Sequence, residues 1–391
     1  MTSQALMETT NLKVRGRPAD QRGVIIRTSR IMGLMLAIVL AAVLSFAVAK
    51  PAQTAQTAQL RGVQLHSLWA DVTDSEMTHE LDLAREAGAN VVRVDVSWSS
   101  LETEGPGRRS AWYERKLKRF FAAAAQRKIK VIAMLWSTPC WASSAPQSLR
   151  DGCKGKWWDR GVDRYLPRNP ARYAAMARWL TSRYGRRLAA LEVWNEPNHA
   201  DALRGPAPAR SYARLVRATY RAAKAGDRRV PVVTGGLSMA DAGFLRELYR
   251  AGIKGHYDGI GLHPYNEWRA PDDSWKKRWV RYTFLRGIEL IRATQRRNGD
   301  RAPLWVTEFG WPSCQPRGTD RWCVTREQQA TYIARAIDLL RGRPYVRAGV
   351  VYNLRAVGED PADRESSYGL VERDFTPKPA YWALRSALTA R

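Results

Sequence analysis

Histidine and cysteine are scarce in this chain, five and four among 391 residues. No His-x-x-x-His pair and no calcium-type acidic loop occurs, and the cysteine spacings are not those of a zinc ribbon or finger, so no metal is expected. No glycine-rich phosphate loop of the Rossmann or P-loop kind follows any predicted strand, which argues against a nucleotide enzyme and leaves no cofactor to expect. Acidic residues are also few, 37 against 64 Lys and Arg, giving a formal charge of +27. The basic residues are scattered along helical stretches such as ARYAAMARWLTSRYGRR instead of forming a recognisable binding motif, so nucleic acid is not an expected partner. With 45% apolar residues, the chain has the material for a full core, and a disordered protein is excluded.

One long uncharged run is present. Residues 31–49, IMGLMLAIVLAAVLSFAVA, are enough to cross roughly 30 Å of hydrocarbon as a helix. Lys13, Arg15, Arg17, Arg22, Arg27 and Arg30 precede it, against Glu8 and Asp20, so residues 1–30 read as a basic cytoplasmic segment and the rest as exported. Ala47-Val48-Ala49 has the small-x-small form of a cleavage site, which keeps a removable signal sequence open beside an uncleaved membrane anchor. Residues 50–60, with the tract PAQTAQTAQ, read as a linker, and 61–391 as one domain acting as a monomer. Cys140 with Cys153 and Cys314 with Cys323 would each close a short loop, as disulfides do in an oxidising compartment. Residues 1–50 hold seven basic and two acidic side chains, which leaves +22 on the exported part. That field suits anionic partners such as acidic polysaccharide, wall polymers or phospholipid headgroups; the plainer account is an Arg-rich composition spread over a solvated surface.

From residue 60 onward, short β-branched or apolar runs alternate with amphipathic helical stretches. The predicted strands are 62–67, 91–96, 130–135, 188–194, 230–235, 259–263, 303–309 and 349–354. Eight βα units in succession favour an α/β fold closed as a (β/α)8 TIM barrel over an open doubly wound sheet. The connection after the third strand, about 136–168, is long and aromatic and carries the first cysteine pair; that after the seventh carries the second. Both lie on the barrel face where active sites are built, and long connections in compact domains are usually functional.

Two acids stand at the ends of apolar strands. Glu196, in LEVWNEPNH, follows the fourth strand, and Pro197 should keep it extended at the strand tip. Glu308, in PLWVTEFGWPS, ends the seventh, where a buried acid is costly unless paired or used. An ion pair with Arg93 would be a structural reason for it, and is compatible with a catalytic one. Sixteen tryptophans are present, and Trp98, Trp136, Trp141, Trp157, Trp158, Trp268 and Trp311 fall on predicted loops, where an indole either stacks on the apolar face of a ligand such as a sugar ring or packs the loop onto the barrel. Trp136, Trp268 and Trp311 are the best candidates, since they sit just past strand ends or near the acids.

WNEPN, followed 112 residues on by TEFGW, resembles the fourth- and seventh-strand signatures of the clan A glycoside hydrolases, most closely families 39 and 5. The likeness covers about residues 60–390. It implies a retaining hydrolase of β-glycosidic bonds in an extracellular polysaccharide or oligosaccharide, with Glu196 as acid/base, Glu308 as nucleophile and Asn195 on the 2-hydroxyl. Arg93 in VVRVDVSW is similar to the clan's arginine beside the nucleophile, and His263 and Tyr265 in GLHPY to the residues flanking it. The eighth strand ends in VVYNLRAV, without the tryptophan platform many clan members carry there; Tyr352 or Asn353 would stand in its place. A transglycosylase using the same two glutamates, and a non-catalytic polysaccharide-binding barrel, are the alternatives.

Overall fold

The computed structural model describes residues 59–273, 284–315 and 321–390. The basic segment 1–30, the apolar run 31–49 and the linker up to residue 58 lie outside the described residues; among those described, no helix is long and apolar enough to cross a membrane. Nine strands make one parallel sheet: β1 (Leu60–Leu65), β2 (Val91–Ser97), β3 (Lys130–Trp136), β4 (Leu188–Val193), β5 (Val232–Thr234), β6 (Leu237–Ser238), β7 (Ile260–His263), β8 (Leu304–Phe309) and β9 (Val346–Val351). Their order is β5-β4-β3-β2-β1-β9-β8-β7-β6. The two ends of this list are consecutive in the chain, and a parallel bridge joins Val233 of β5 to Gly259 just before β7. The arrangement is consistent with a (β/α)8 barrel whose fifth strand is interrupted at Gly235 and Gly236, so the single predicted strand 230–235 becomes a short β5 followed by β6.

Between the strands run α1 (Asp74–Glu86), α2 (Ala111–Gln126), α3 (Pro170–Tyr184), α4 (Pro208–Gly226), α5 (Ala242–Arg250), α6 (Phe284–Arg297), α7 (Arg326–Arg341) and, after β9, α8 (Pro379–Thr389). Their starts are written locally. Thr73 and Thr325 form capping boxes with Glu76 and Gln328, Ser110 caps α2, and Asn169 caps α3 ahead of Pro170.

Alternation along the strands divides the core in two. Val92, Val94 and Val96 of β2 join the large cluster that includes helix residues such as Phe120, Leu180 and Ile337. Val91, Ile132, Ala190, Val233, Trp305, Ala348 and Val350 form a separate apolar layer from seven positions of the sheet. Two residues further along these strands stand Arg93, Glu192 and Thr307, all buried and polar. Period two thus places the charged layer directly above the apolar one.

Two helix tyrosines hold the strand ends. Tyr173 of α3 donates to the Leu135 carbonyl and accepts from the Trp194 amide at 3.1 Å. Tyr212 of α4 donates to the Val193 carbonyl at 2.6 Å and accepts from the Gly235 amide at 2.6 Å. These hydroxyls satisfy backbone groups where the ladders stop. Tyr212→Phe should therefore cost about 1–3 kcal/mol, by leaving the Gly235 amide buried without an acceptor. Denaturant unfolding checks this; an unchanged midpoint would contradict the role.

Candidate active site

Arg93 is fully buried on β2 and bonds in four directions. Its Nε donates to Glu192 at 2.5 Å, one terminal nitrogen donates to Glu308 at 2.5 Å and to Gln64 at 2.9 Å, and the other donates to Asn195 at 2.9 Å. Burial alone would lower its pKa, but the charges of Glu192 and Glu308 raise it instead, so the guanidinium is a fixed cation. Removing one member of such a buried set costs about 3–5 kcal/mol, since the partner's charge is stranded.

Glu308 reaches this cation through a local irregularity. Along β8, Leu304 and Val306 belong to the outer core and Trp305 to the inner layer, so strict alternation would point residue 308 outward. The register against β9 shifts between Val306 and Phe309, and there Phe309 joins the outer core while Glu308 turns to the mouth. A bulge of this kind re-aims side chains next to functional sites. Tyr265 donates to the second oxygen of Glu308 at 2.8 Å, and burial pushes the phenol pKa well above its usual value, so Tyr265 remains a donor.

Glu196 is not extended, as Pro197 alone suggested. Its φ is +40°, and that of Trp194 is +70°, both left-handed. Pro197 disfavours the right-handed helical region for the residue before it, and β4 has already ended at Val193, so the sharp exit is made through left-handed residues at a strain of order 1–3 kcal/mol each. The exit brings Glu196 to His263, whose Nδ1 lies 3.0 Å from it and 3.5 Å from Glu308.

The direction of the neighbouring bonds assigns the imidazole. Thr307 donates to Glu192 at 2.8 Å, so its oxygen accepts from Nε2 of His263 at 3.2 Å. Nε2 therefore carries a hydrogen in every state, and Nδ1, facing Glu196, is the nitrogen that gains or loses the proton. Burial would lower the His263 pKa, but Glu308 and Glu196 outweigh it and raise the pKa above its ordinary 6.5. Burial would raise Glu196, but the bond and charge of His263 outweigh it and lower the pKa below 4.5. The opposite shifts describe one proton held between the two groups. Gly236 makes room for the ring: a Cβ there would stand 2.0 Å from Nε2.

Donor atoms of Glu196, His263 and Glu308 all lie within 4.8 Å of one another, close enough to share a cation. Arg93 already places a positive charge against Glu308, which opposes a metal ion there.

The structure brings Arg93, Asn195, Glu196, His263 and Tyr265 together with Glu308, and Asn195, Glu196, Tyr265 and Glu308 line a cavity of about 400 Å³. Trp136 lines it, and so does Tyr352, at the position where a tryptophan platform was missed. Asn353, joined to Tyr352 by a cis peptide, is buried outside the lining. One aromatic expectation is corrected. Trp311 is 1% exposed, donates to the Arg269 carbonyl at 2.9 Å and packs on Phe284, Phe309 and Tyr332, because the turn after β8 folds it back into the core. Trp268 stays outside the lining, held against the guanidinium groups of Arg269 and Arg321.

Both cysteine pairs are disulfides, Cys140–Cys153 and Cys314–Cys323. The first ties the long connection after β3 into its own small core with Ala145, Trp157 and Val162, so Trp157 packs instead of reaching the cavity. Trp98 and Trp141 are likewise structural, donating to the Glu102 carboxylate and carbonyl at 2.9 and 2.7 Å. The second disulfide sits beside Trp322, a lining residue that sequence reasoning passed over. It also passed over Glu192, although an acid at an inward position of the apolar run LAALEVW was a visible signal. His66, Asp95 and Trp69 also line the cavity; His66 and Asp95 are bonded at 3.1 Å, and the His66 and Trp69 rings lie tilted with centroids 4.1 Å apart.

Known proteins share this architecture. The family model for cellulase, glycosyl hydrolase family 5, matches residues 51–338. Among curated proteins, none matches the chain in sequence. A family 39 glycoside hydrolase from the gut symbiont Bacteroides cellulosilyticus WH2 is similar in structure, with a TM-score of 0.67 and 22% identity over 84% of this chain. A family 39 enzyme from Xanthomonas axonopodis pv. citri has a TM-score of 0.59 at 20% identity, again over 84% of this chain. A family 39 β-xylosidase from Caulobacter crescentus, with 70% of its own length covered, has 0.57 at 19% over 84% of this chain. The chain spans 63% and 65% of the first two structures' lengths, and at these identities the likeness is one of fold. The match over most of its length decides the family: the chain belongs to glycosyl hydrolase family 5, among the clan A glycoside hydrolases.

Proposed function

We propose that this chain is a retaining β-glycosidase, with its sheet closed as a (β/α)8 barrel, acting on a polysaccharide or oligosaccharide on the outer side of a membrane. The observation that carries the reading is the separation of Glu196 and Glu308, within 4.8 Å at their closest oxygens. Double displacement needs carboxyl groups only about 5–5.5 Å apart, whereas inversion needs roughly 6.5–9.5 Å to fit a water between sugar and base. The two disulfides and the apolar run 31–49 support the compartment. The β-xylosidase among the similar structures supports the β configuration of the bond.

Glu308 is the nucleophile. Arg93 and Tyr265 bond its two oxygens and aim the group at the anomeric carbon, and both bonds weaken in step as the carboxylate charge moves into the new C–O bond. Glu196 protonates the leaving oxygen with the proton it holds in common with Nδ1 of His263, then takes one from the water that releases the sugar. The Asn195 carbonyl oxygen is taken by Arg93, which leaves its NH2 to bond the hydroxyl beside the reacting carbon. Trp136, Trp322 and Tyr352 supply apolar faces for sugar rings.

Hydrolysis of a panel of aryl β-glycosides tests this. NMR should show the β anomer as the first product, and a 2-fluoro glycoside should leave a covalent adduct on Glu308. Glu308→Ala should abolish turnover, and Glu196→Ala should slow it by about 10²–10⁴-fold, least for good leaving groups. First release of the α anomer, or full activity in both variants, would sink the assignment.

The shared proton predicts a pH profile. With its pKa raised, His263 keeps its proton below that value and loses it as pH rises through it, so kcat/KM should fall on an alkaline limb above 6.5. Thr307→Val removes the acceptor for Nε2 and disfavours the imidazolium, and should move that limb to lower pH. A limb that stays in place would show that His263 does not hold the proton.

A further inference from the structure

The excess positive charge has a direction. In this fold the segments that enter the strands lie on the face opposite the catalytic mouth. Those segments are residues 85–90, 127–130, 183–187, 224–231, 250–258, 296–303 and 341–345, and they carry seventeen Arg and Lys against four Asp and Glu. A basic composition spread evenly would not do this: the connection Tyr352 to Lys378 on the mouth side carries six acids, Glu359, Asp360, Asp363, Glu365, Glu372 and Asp374, against four basic residues. On the entry face the charge is also gathered. A cavity of about 440 Å³ is lined by Lys118, Arg183, Arg186, Arg187 and Arg229, and its single acid, Asp227, is already paired with Arg229 at 2.8 Å.

The chain itself enters at this face. Gln59, just before β1, donates to the carbonyls of Leu340 and Val346 at 3.0 and 3.1 Å, beside Arg341 and Arg343. Nine residues, 50–58, separate Gln59 from the apolar run 31–49, and nine residues reach at most about 30 Å. If that run spans a bilayer, its link to the domain is at most about 30 Å long and joins at the strand-entry face.

We propose that the strand-entry face is a docking surface for an anionic lipid bilayer, which orients the catalytic mouth away from the membrane and towards polymer outside. The inference rests on the membrane-tethered part of the reading above and not on the chemistry at Glu196 and Glu308. Clustered Arg and Lys near an anionic bilayer are attracted within a Debye length of about 8 Å, so the contact is sensitive to salt. Nucleic acid and acidic polysaccharide are the competing polyanions.

Lysine labelling of the full chain in vesicles tests the orientation. Lys128, Lys130 and Lys254 are exposed on the entry face, and Lys154 and Lys156 on the mouth side. In phosphatidylglycerol vesicles, acetylation of the first three, read by mass spectrometry, should slow about threefold or more relative to phosphatidylcholine vesicles, and recover in high salt. Lys154 and Lys156 should react equally in both. Arg186→Glu combined with Arg187→Glu should lose the protection while keeping aryl glycoside hydrolysis, which shows that the variant folds. Equal protection on both faces, none on either, or none that depends on lipid charge overturns the proposal. Stronger protection by added DNA or acidic polysaccharide than by the vesicles also overturns it.

Discussion

A guanidinium with no exposed surface is the constraint around which this protein is arranged. Arg93 sits on β2 directly above the apolar layer, where an unpaired charge would cost several kcal/mol, and its cost is offset by two carboxylates, an amide and a glutamine oxygen. Gln64 comes from β1, Glu308 from β8, and Glu192 and Asn195 from β4 and its exit. The ion therefore fixes the relative positions of β1, β2, β4 and β8 at one level of the sheet, the level from which Glu196 and Glu308 project. Stability and site geometry share one set of bonds.

The same set divides the two glutamates electrically. Glu308 meets Arg93 and a tyrosine hydroxyl, while Glu196 meets an imidazole whose other nitrogen is anchored through Thr307 to Glu192. One carboxyl faces a permanent cation and the other a titratable imidazole, a difference in environment of the kind that lets a pair of like side chains take unlike roles. Outside the site, charge is segregated on a larger scale, with a mixed mouth and a strongly basic opposite face.

Aromatic residues carry more of the architecture than their number suggested. Trp98, Trp141, Trp157 and Trp311 fix loops by packing and by indole N–H bonds, so the cavity is left with Trp69, Trp136, Trp322 and a group of tyrosines. A loop tryptophan meets either need with the same side chain, since sugar faces and loop backbones both offer apolar surface next to a polar acceptor.

Period-two alternation, capping residues and short apolar runs are local, so the βα order, nearly all strand positions and both disulfide pairs were legible in the sequence. So were Asn195, Glu196 and Glu308, which two strand-end motifs name, and Arg93, His263 and Tyr265, which the family resemblance of VVRVDVSW and GLHPY added as candidates. The split of the fifth strand at Gly235 and Gly236 was not legible, since it follows from how the sheet curls. Nor were the left-handed exit at Glu196 and the bulge that exchanges Glu308 with Phe309: alternation alone would have pointed Glu308 at the helices. Sequence determined which side chains could do chemistry. Only the tertiary structure decided which way they point, because direction depends on register and backbone curvature set by neighbouring strands far away in the chain.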